Sequence, residues 1–423
     1  MASATGPEKC RFLSNVSYRR ALLFQGEASA RDNTGEDLHG CFSRFRRQAR
    51  ETLKKSGSEE ATLALTVTLV RLPLLSPFTT SFGTETARNA LIVSAESDGV
   101  TAFGECVTSV GPYYSYEDNS TALHIIRDHL AKLAKDVPSP AEFLEKAGSI
   151  KGHNMAKAAV EMMLWDMEAK RKKVPLVRLL GPTKGYADVG ISLGMDRPDV
   201  TLKKVEASVA RGYKRVKLKV ERGKEYDIVR RVRDVYPDIK LSADANSSFT
   251  LKDARSLKRL DRFGLAYLEQ PLGHDDLIDH AKLAGEISTP ICLDESISNV
   301  DRARQAVEIG AGEVFNVKPG RLGGLCNSLE VAGLARTAGC HVWVGGMLET
   351  GVGRAFNIAL ASLRTVDYPG DTSPNDRYFA KDVVSNPFSM EGGRIKPNAG
   401  DGIGVKLDER FFRASSVRAW KLD

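Results

Sequence analysis

Five charged residues recur at a nearly constant interval through the middle of this chain. Lys219, Asp244, Glu269, Asp294 and Lys318 stand 25, 25, 25 and 24 residues apart. A strand, a loop, a helix and a return loop use about that much chain, so the spacing predicts successive βα units. Each charge closes a short β-favouring run. The runs are Val216-Lys217-Leu218-Lys219, Leu241-Ser242-Ala243-Asp244, Tyr267-Leu268-Glu269, Ile291-Cys292-Leu293-Asp294 and Phe315-Asn316-Val317-Lys318. Gln270-Pro271 and Pro319-Gly320 then supply turn signals. Helices are expected between the charges, at 227–235, 251–260, 277–284 and 300–309. In a (β/α)8-type barrel every C-terminal strand end faces one cavity. Three carboxylates would meet there between lysines, which suits a divalent cation flanked by two bases. Period-2 alternation sends Lys217 and Lys219 to the same strand face.

The 423 residues exceed one compact domain, so two are expected. No apolar run reaches the ~18 residues of a membrane-spanning helix. The six cysteines lack C-x-x-C pairs and read as reduced thiols of a cytoplasmic protein. A net charge of +7 suits anionic substrates. The absence of a dense basic tract with interleaved aromatics argues against nucleic acid. Residues 1–62 carry 11 basic and 8 acidic side chains without a sustained apolar period. They read as a weakly ordered extension, and neither a signal nor a transit peptide fits them. Residues 63–182 read as an α+β capping domain, with strands at 64–72 and 89–97 and a Tyr-rich turn at 112–116. An amphipathic packing helix is expected over 155–172, in which Asp166 caps or pairs. Residues 183–385 are expected to form the barrel, and 386–423 to return as short strands completing the first domain.

The strand-end set Lys217-x-Lys219, Asp244-Ala-Asn246, Glu269-Gln-Pro271, Asp294-Glu295 and Lys318-Pro-Gly-Arg321-x-Gly-Gly resembles the enolase superfamily in its muconate-lactonizing branch. Three further stretches are similar to the group holding o-succinylbenzoate synthase and N-succinylamino acid racemase. They are Ser76-Pro77-Phe78-Thr79-Thr80-Ser81-Phe82-Gly83-Thr84, the run from Gly345-Gly346-Met347 to Ala355, and Pro369-Gly370-Asp371-Thr372-Ser373. The resemblance covers residues 63–423.

What the resemblance implies agrees with the residue chemistry. Asp244, Glu269 and Asp294 would ligate Mg²⁺, with Mn²⁺ able to substitute, and Asn246 and Glu295 would support them. A substrate carboxylate would bind the metal while Lys219 removes the neighbouring α-proton, giving an enediolate. Lys217 would be a fixed cation, and its charge together with the metal should depress the pKa of Lys219. Lys318 would act from the opposite side, positioned by Arg321. Dehydration of a succinyl-hydroxycyclohexadiene carboxylate to o-succinylbenzoate, a menaquinone precursor, needs one face of acid/base chemistry. Racemisation of an N-succinyl amino acid needs both, and both lysines are present. Muconate cycloisomerase is a remote alternative, and so is a non-catalytic barrel scaffold. The expected substrate-pocket residues are Ser192, Phe78, Phe82, Tyr113, Arg321, Met347 and Glu349. The expected partners are a small-molecule carboxylate and a second copy of the chain in a homo-oligomer, with no nucleic acid and no membrane.

Overall fold

The computed structural model describes residues 63–80, 83–137 and 139–422. The expected extension over 1–62 and the pocket residue Phe82 lie outside the described residues. Among the described residues no helix is long and apolar enough to cross a membrane.

The chain opens with three antiparallel strands, β1 (Ala64–Thr80), β2 (Gly83–Ser97) and β3 (Val100–Cys106). The C-terminal strand Ser416–Leu422 pairs with β1, placing Leu422 opposite Leu65 and making a four-stranded sheet. Along β1, Leu65 and Val67 are buried in the core of the first domain, and after a change of parity Val70 and Leu72 are buried in the core shared with the barrel. Helix α1 (Asn154–Arg171) starts and stops one residue before the expected span. It departs from the amphipathic expectation, because it is buried on nearly every face between this sheet and the barrel. Its polar residues are therefore all spoken for. Asp166 bonds Lys170 at 2.8 Å and accepts from the backbone amides of Phe103 and Ile403.

Seven parallel strands follow in chain order around a curled sheet. They are β4 (Gly190–Leu193), β5 (Arg215–Lys219), β6 (Leu241–Asp244), β7 (Leu268–Glu269), β8 (Ile291–Leu293), β9 (Val314–Val317) and β10 (His341–Val344). Among the described residues the (β/α)8-type barrel has seven regular strands, and no eighth is formed. The segment 367–371 instead bridges the two edges, with the Asp371 amide bonded to Val344 and the Gly190 amide bonded to Gly370. Pro369 has no N–H to give and Gly370 follows it, so a continuous ladder cannot form there. The helices come close to their expected places, at Glu225–Val235, Ile278–Ala284 and Val300–Ile309. The stretch 251–260 is split into 3₁₀ and α turns.

Candidate active site

Strand parity builds the site in layers. On β5, Arg215, Lys217 and Lys219 alternate with apolar neighbours, so all three share one face. Arg215, deepest, lies 5.0 Å from the ring of buried Trp343 and bonds Asp371 at 2.7 Å. Lys217 stands above it, 2.8 Å from Glu269, 3.0 Å from Asp371 and 3.1 Å from Asp244. Lys219, at the top, bonds Asp244 at 2.7 Å and also donates to the Asn246 side chain. From the far side Lys318 bonds Asp294 at 2.7 Å and the Tyr114 hydroxyl at 3.1 Å. Arg321 donates to Asp294 and to the backbone carbonyl of Ile297.

A cavity of about 530 Å³ opens onto this cluster between the barrel mouth and the first domain. Lys217, Lys219, Asp244, Asn246, Asp294, Lys318, Ser192, Met347 and Phe78 all line it. Tyr113 also lines it but is 76% exposed, which makes it a rim residue. Glu269 is fully buried beneath the floor, held by Lys217 and Asn316. Arg321 and Glu349 are not among the lining residues, which corrects their assignment to the substrate pocket. Arg321 is turned onto Asp294. Glu349 accepts from the Met347 amide and from Asn357, and pairs with Arg354 at 2.9 Å. Glu295 takes a bond from Asn246 on one oxygen, while its other oxygen is buried without a partner.

Several residues of the site were not picked out from the sequence. Arg215 and Asn316 lie two residues before Lys217 and Lys318, so strand parity alone could have found them. Asp371 sits in the motif already noted after the last barrel strand. Tyr114 lies in the Tyr-rich turn, where the residue beside it was favoured. Turns carry no parity to decide such a choice. Two strand ends also adopt left-handed backbone, with φ of 40° at Asn246 and 35° at Gln270. Such strain gathers at functional sites.

The electrostatics are those of a buried, balanced cluster. Burial opposes the charge on Lys217, but Asp371, Glu269 and Asp244 overcome it and hold the group well above the usual lysine range. Burial likewise opposes charge on Lys318, and Tyr114, Glu295 and Glu269 raise it. Asp244 is desolvated, yet Lys219 and Lys217 bring its carboxyl down to about 2. Burial, reinforced by Asp244, pushes Glu269 up.

The donor set fits a hard divalent cation, since Asp244, Glu269 and Asp294 end successive strands and offer only carboxylate oxygens. Among the described residues the side chains do not stand as a ready-made metal cluster. Lysine and arginine donors engage the same carboxylates, so a cation would compete with them. Five cations (Arg215, Lys217, Lys219, Lys318, Arg321) face five carboxylates (Asp244, Glu269, Asp294, Glu295, Asp371).

A curled parallel sheet with carboxylates and lysines at its strand ends, capped by an α+β domain, defines an enolase-like fold. Residues 201–411 match the enolase C-terminal domain-like family, and residues 63–181 match the N-terminal domain of mandelate racemase and muconate lactonizing enzyme. The chain belongs to the enolase superfamily, as its motifs implied. It is 44% identical to an o-succinylbenzoate synthase of Geobacillus kaustophilus, over 81% of this chain and 92% of that one. It is 43% identical to an N-succinylamino acid racemase of Thermus thermophilus, over 84% and 96% of the two chains. A solved member of the enolase superfamily from Listeria innocua superposes with a TM-score of 0.83 at 38% identity, covering 86% of this chain and 99% of that one.

Proposed function

We propose that this protein is an o-succinylbenzoate synthase, dehydrating a succinyl-hydroxycyclohexadiene carboxylate to the aromatic succinylbenzoate. The observation that carries this is the placement of Lys219 and Lys318 on opposite sides of one cavity with Asp244 and Asp294 between them, in a chain 44% identical to a synthase. Asp244, Glu269 and Asp294 would hold Mg²⁺, the metal generally used in this superfamily, which when bound supplies a Lewis acid for the substrate carboxylate.

The rest of the chemistry falls to the chain's own groups. Neutral Lys219 takes the proton α to the carboxylate, and the C–H electron pair moves toward the carboxylate. That pair then returns to form the ring double bond to the neighbouring carbon as the ring hydroxyl departs with its C–O bonding pair, and the Lys219 ammonium gives its proton to the departing hydroxyl, releasing water. Lys217 stays charged and steadies the negative charge that develops. Lys318 supplies a second cation from the other face. Ser192, whose hydroxyl is buried without a partner, and Met347 shape the pocket. Residues 63–182 with 386–423 act as the cap, and 183–385 as the catalytic barrel. The chain works as a homo-oligomer in the cytoplasm.

A second reading, N-succinylamino acid racemase, is favoured by one specific observation. Lys318 lines the cavity opposite Lys219, although dehydration needs a base on one face only. The test is kcat/KM for Mg²⁺-dependent dehydration, followed by loss of substrate absorbance. A value above roughly 10⁴ M⁻¹s⁻¹ supports the synthase. A negligible value with the fold intact sinks it in favour of the racemase.

A further inference from the structure

Four arginines are buried among the described residues, namely Arg88, Arg215, Arg321 and Arg354. Three have a carboxylate in close contact: Arg215 has Asp371 at 2.7 Å, Arg354 has Glu349 at 2.9 Å, and Arg321 is bonded to Asp294. Arg88 is the exception. It is 2% exposed on β2, and its Nε and Nη2 have no hydrogen-bond partner. Its Nη1 reaches only the Ser109 hydroxyl at 3.5 Å and Glu85 at 3.9 Å. Glu85 is itself partly exposed and accepts from Ser109 at 3.0 Å. Glu105 is near enough to feel the charge of Arg88, but its oxygens already accept from Thr350 and Gly353. A guanidinium buried with two free donors is costly unless something completes it.

Arg88 lines the same cavity as Lys217, Lys219 and Lys318, approaching it from the capping domain. The Nε–Nη2 edge is a planar fork shaped for two carboxylate oxygens. The substrate of the synthase reading carries two carboxylates. One belongs at the lysines, where the α-proton is removed. We propose that Arg88 binds the second, at the far end of the succinyl chain. The substrate thereby spans barrel and cap, and Arg88 makes the site selective for succinyl over uncharged acyl groups. This assignment rests on the synthase reading and adds to it the residue that recognises the succinyl end.

The test compares two ligands as inhibitors of dehydration: o-succinylbenzoate, and 2-butyrylbenzoate, in which a methyl replaces the distal carboxylate. Wild type should favour the diacid by about 10- to 100-fold, the range for hydrogen bonds to a charged group. Arg88→Met should bring that ratio close to one and raise KM while kcat falls far less. Arg88→Lys should restore part of the ratio. Equal weakening of both ligands would mean a structural counter-charge for Glu105 and would overturn the proposal, as would an unchanged ratio. Should Arg88→Met fail to fold, Glu85→Gln decides. Removing that competing carboxylate should tighten the diacid several-fold and leave 2-butyrylbenzoate unaffected, whereas no change in either overturns the assignment. A wild type that dehydrates nothing defeats the synthase reading and this assignment together. Wild-type turnover with an unaltered ratio in the variants defeats the role of Arg88 alone.

Discussion

Gly345 follows the last residue of β10, and a single methyl group there is expected to disable Lys318. A Cβ at this position would lie 2.7 Å from Lys318 Cε, 2.8 Å from Lys318 Cγ and 2.3 Å from Asn316 Oδ1. Ordinary carbon–carbon contact begins near ~3.5 Å, so the lysine stem must retreat by about 0.8 Å. Displacing a charged group that faces the reacting centre by about 1 Å costs roughly 10²-fold in rate, or about 2.7 kcal/mol of activation free energy. Overpacking a tight interior adds about 1–3 kcal/mol of destabilisation. Gly345→Ala should therefore fold with a lowered melting temperature and lose about two orders of magnitude in kcat. Gly312→Ala is the control. Its Cβ would meet the Ile291 carbonyl at 2.8 Å and Leu293 at 3.0 Å, near the opposite end of β9. That variant should lose stability without a comparable loss of kcat. The assay is kcat at saturating substrate and Mg²⁺, with thermal unfolding of both variants in parallel. Wild-type kcat in Gly345→Ala would refute the steric reasoning, and so would equal kcat losses in the two variants.

Three further outcomes follow from the site. Asp371→Asn should destabilise the protein by about 3–5 kcal/mol, measured by denaturant unfolding, because Arg215 and Lys217 both lose a buried counter-charge. Mg²⁺ at a hundred times its Kd should add about 2.7 kcal/mol of unfolding free energy in wild type. Asp244→Asn should abolish that gain, and EDTA should abolish activity. Burial pushes Glu105 and Glu161 up to about 7, although backbone amides of the barrel donate to both. In that case the folded state holds these protons more tightly than the unfolded chain does. Their contribution is then full below about pH 4.5 and is lost as pH rises through 7, by about 3 kcal/mol per group. Unfolding free energies at pH 5 and pH 8 should fall less steeply in Glu105→Gln than in wild type, and equal slopes would refute the assignment.

Much of this architecture was legible because its signals are local. A βα unit has a characteristic length, so Lys219, Asp244, Glu269, Asp294 and Lys318 could be set at strand ends by spacing alone. A strand has period two, so Lys217 and Lys219 had to share a face. The same parity, carried two residues further, would have included Arg215 and Asn316. Tyr113 and Tyr114 both reach the cavity, but a turn has no period, and only its folding against Lys318 brings the Tyr114 hydroxyl inward while Tyr113 stays at the rim. Arg321 and Glu349 were misassigned for a related reason. A charge beside a cavity can face it or turn away, and Asp294 and Arg354 are the partners that turn these two away.

The chain by itself therefore determined the order of strands and helices, the faces that carry charge, and the set of acids and bases available for chemistry. Tertiary structure decided which cation meets which carboxylate. It also decided that 367–371 bridges the ring without forming a strand, and that Arg88 is buried beside the cavity with donors unfilled. Those facts depend on contacts between segments far apart in sequence, such as Arg215 with Asp371, 156 residues away. Ring closure and the docking of the cap set such distances, and no local pattern encodes them.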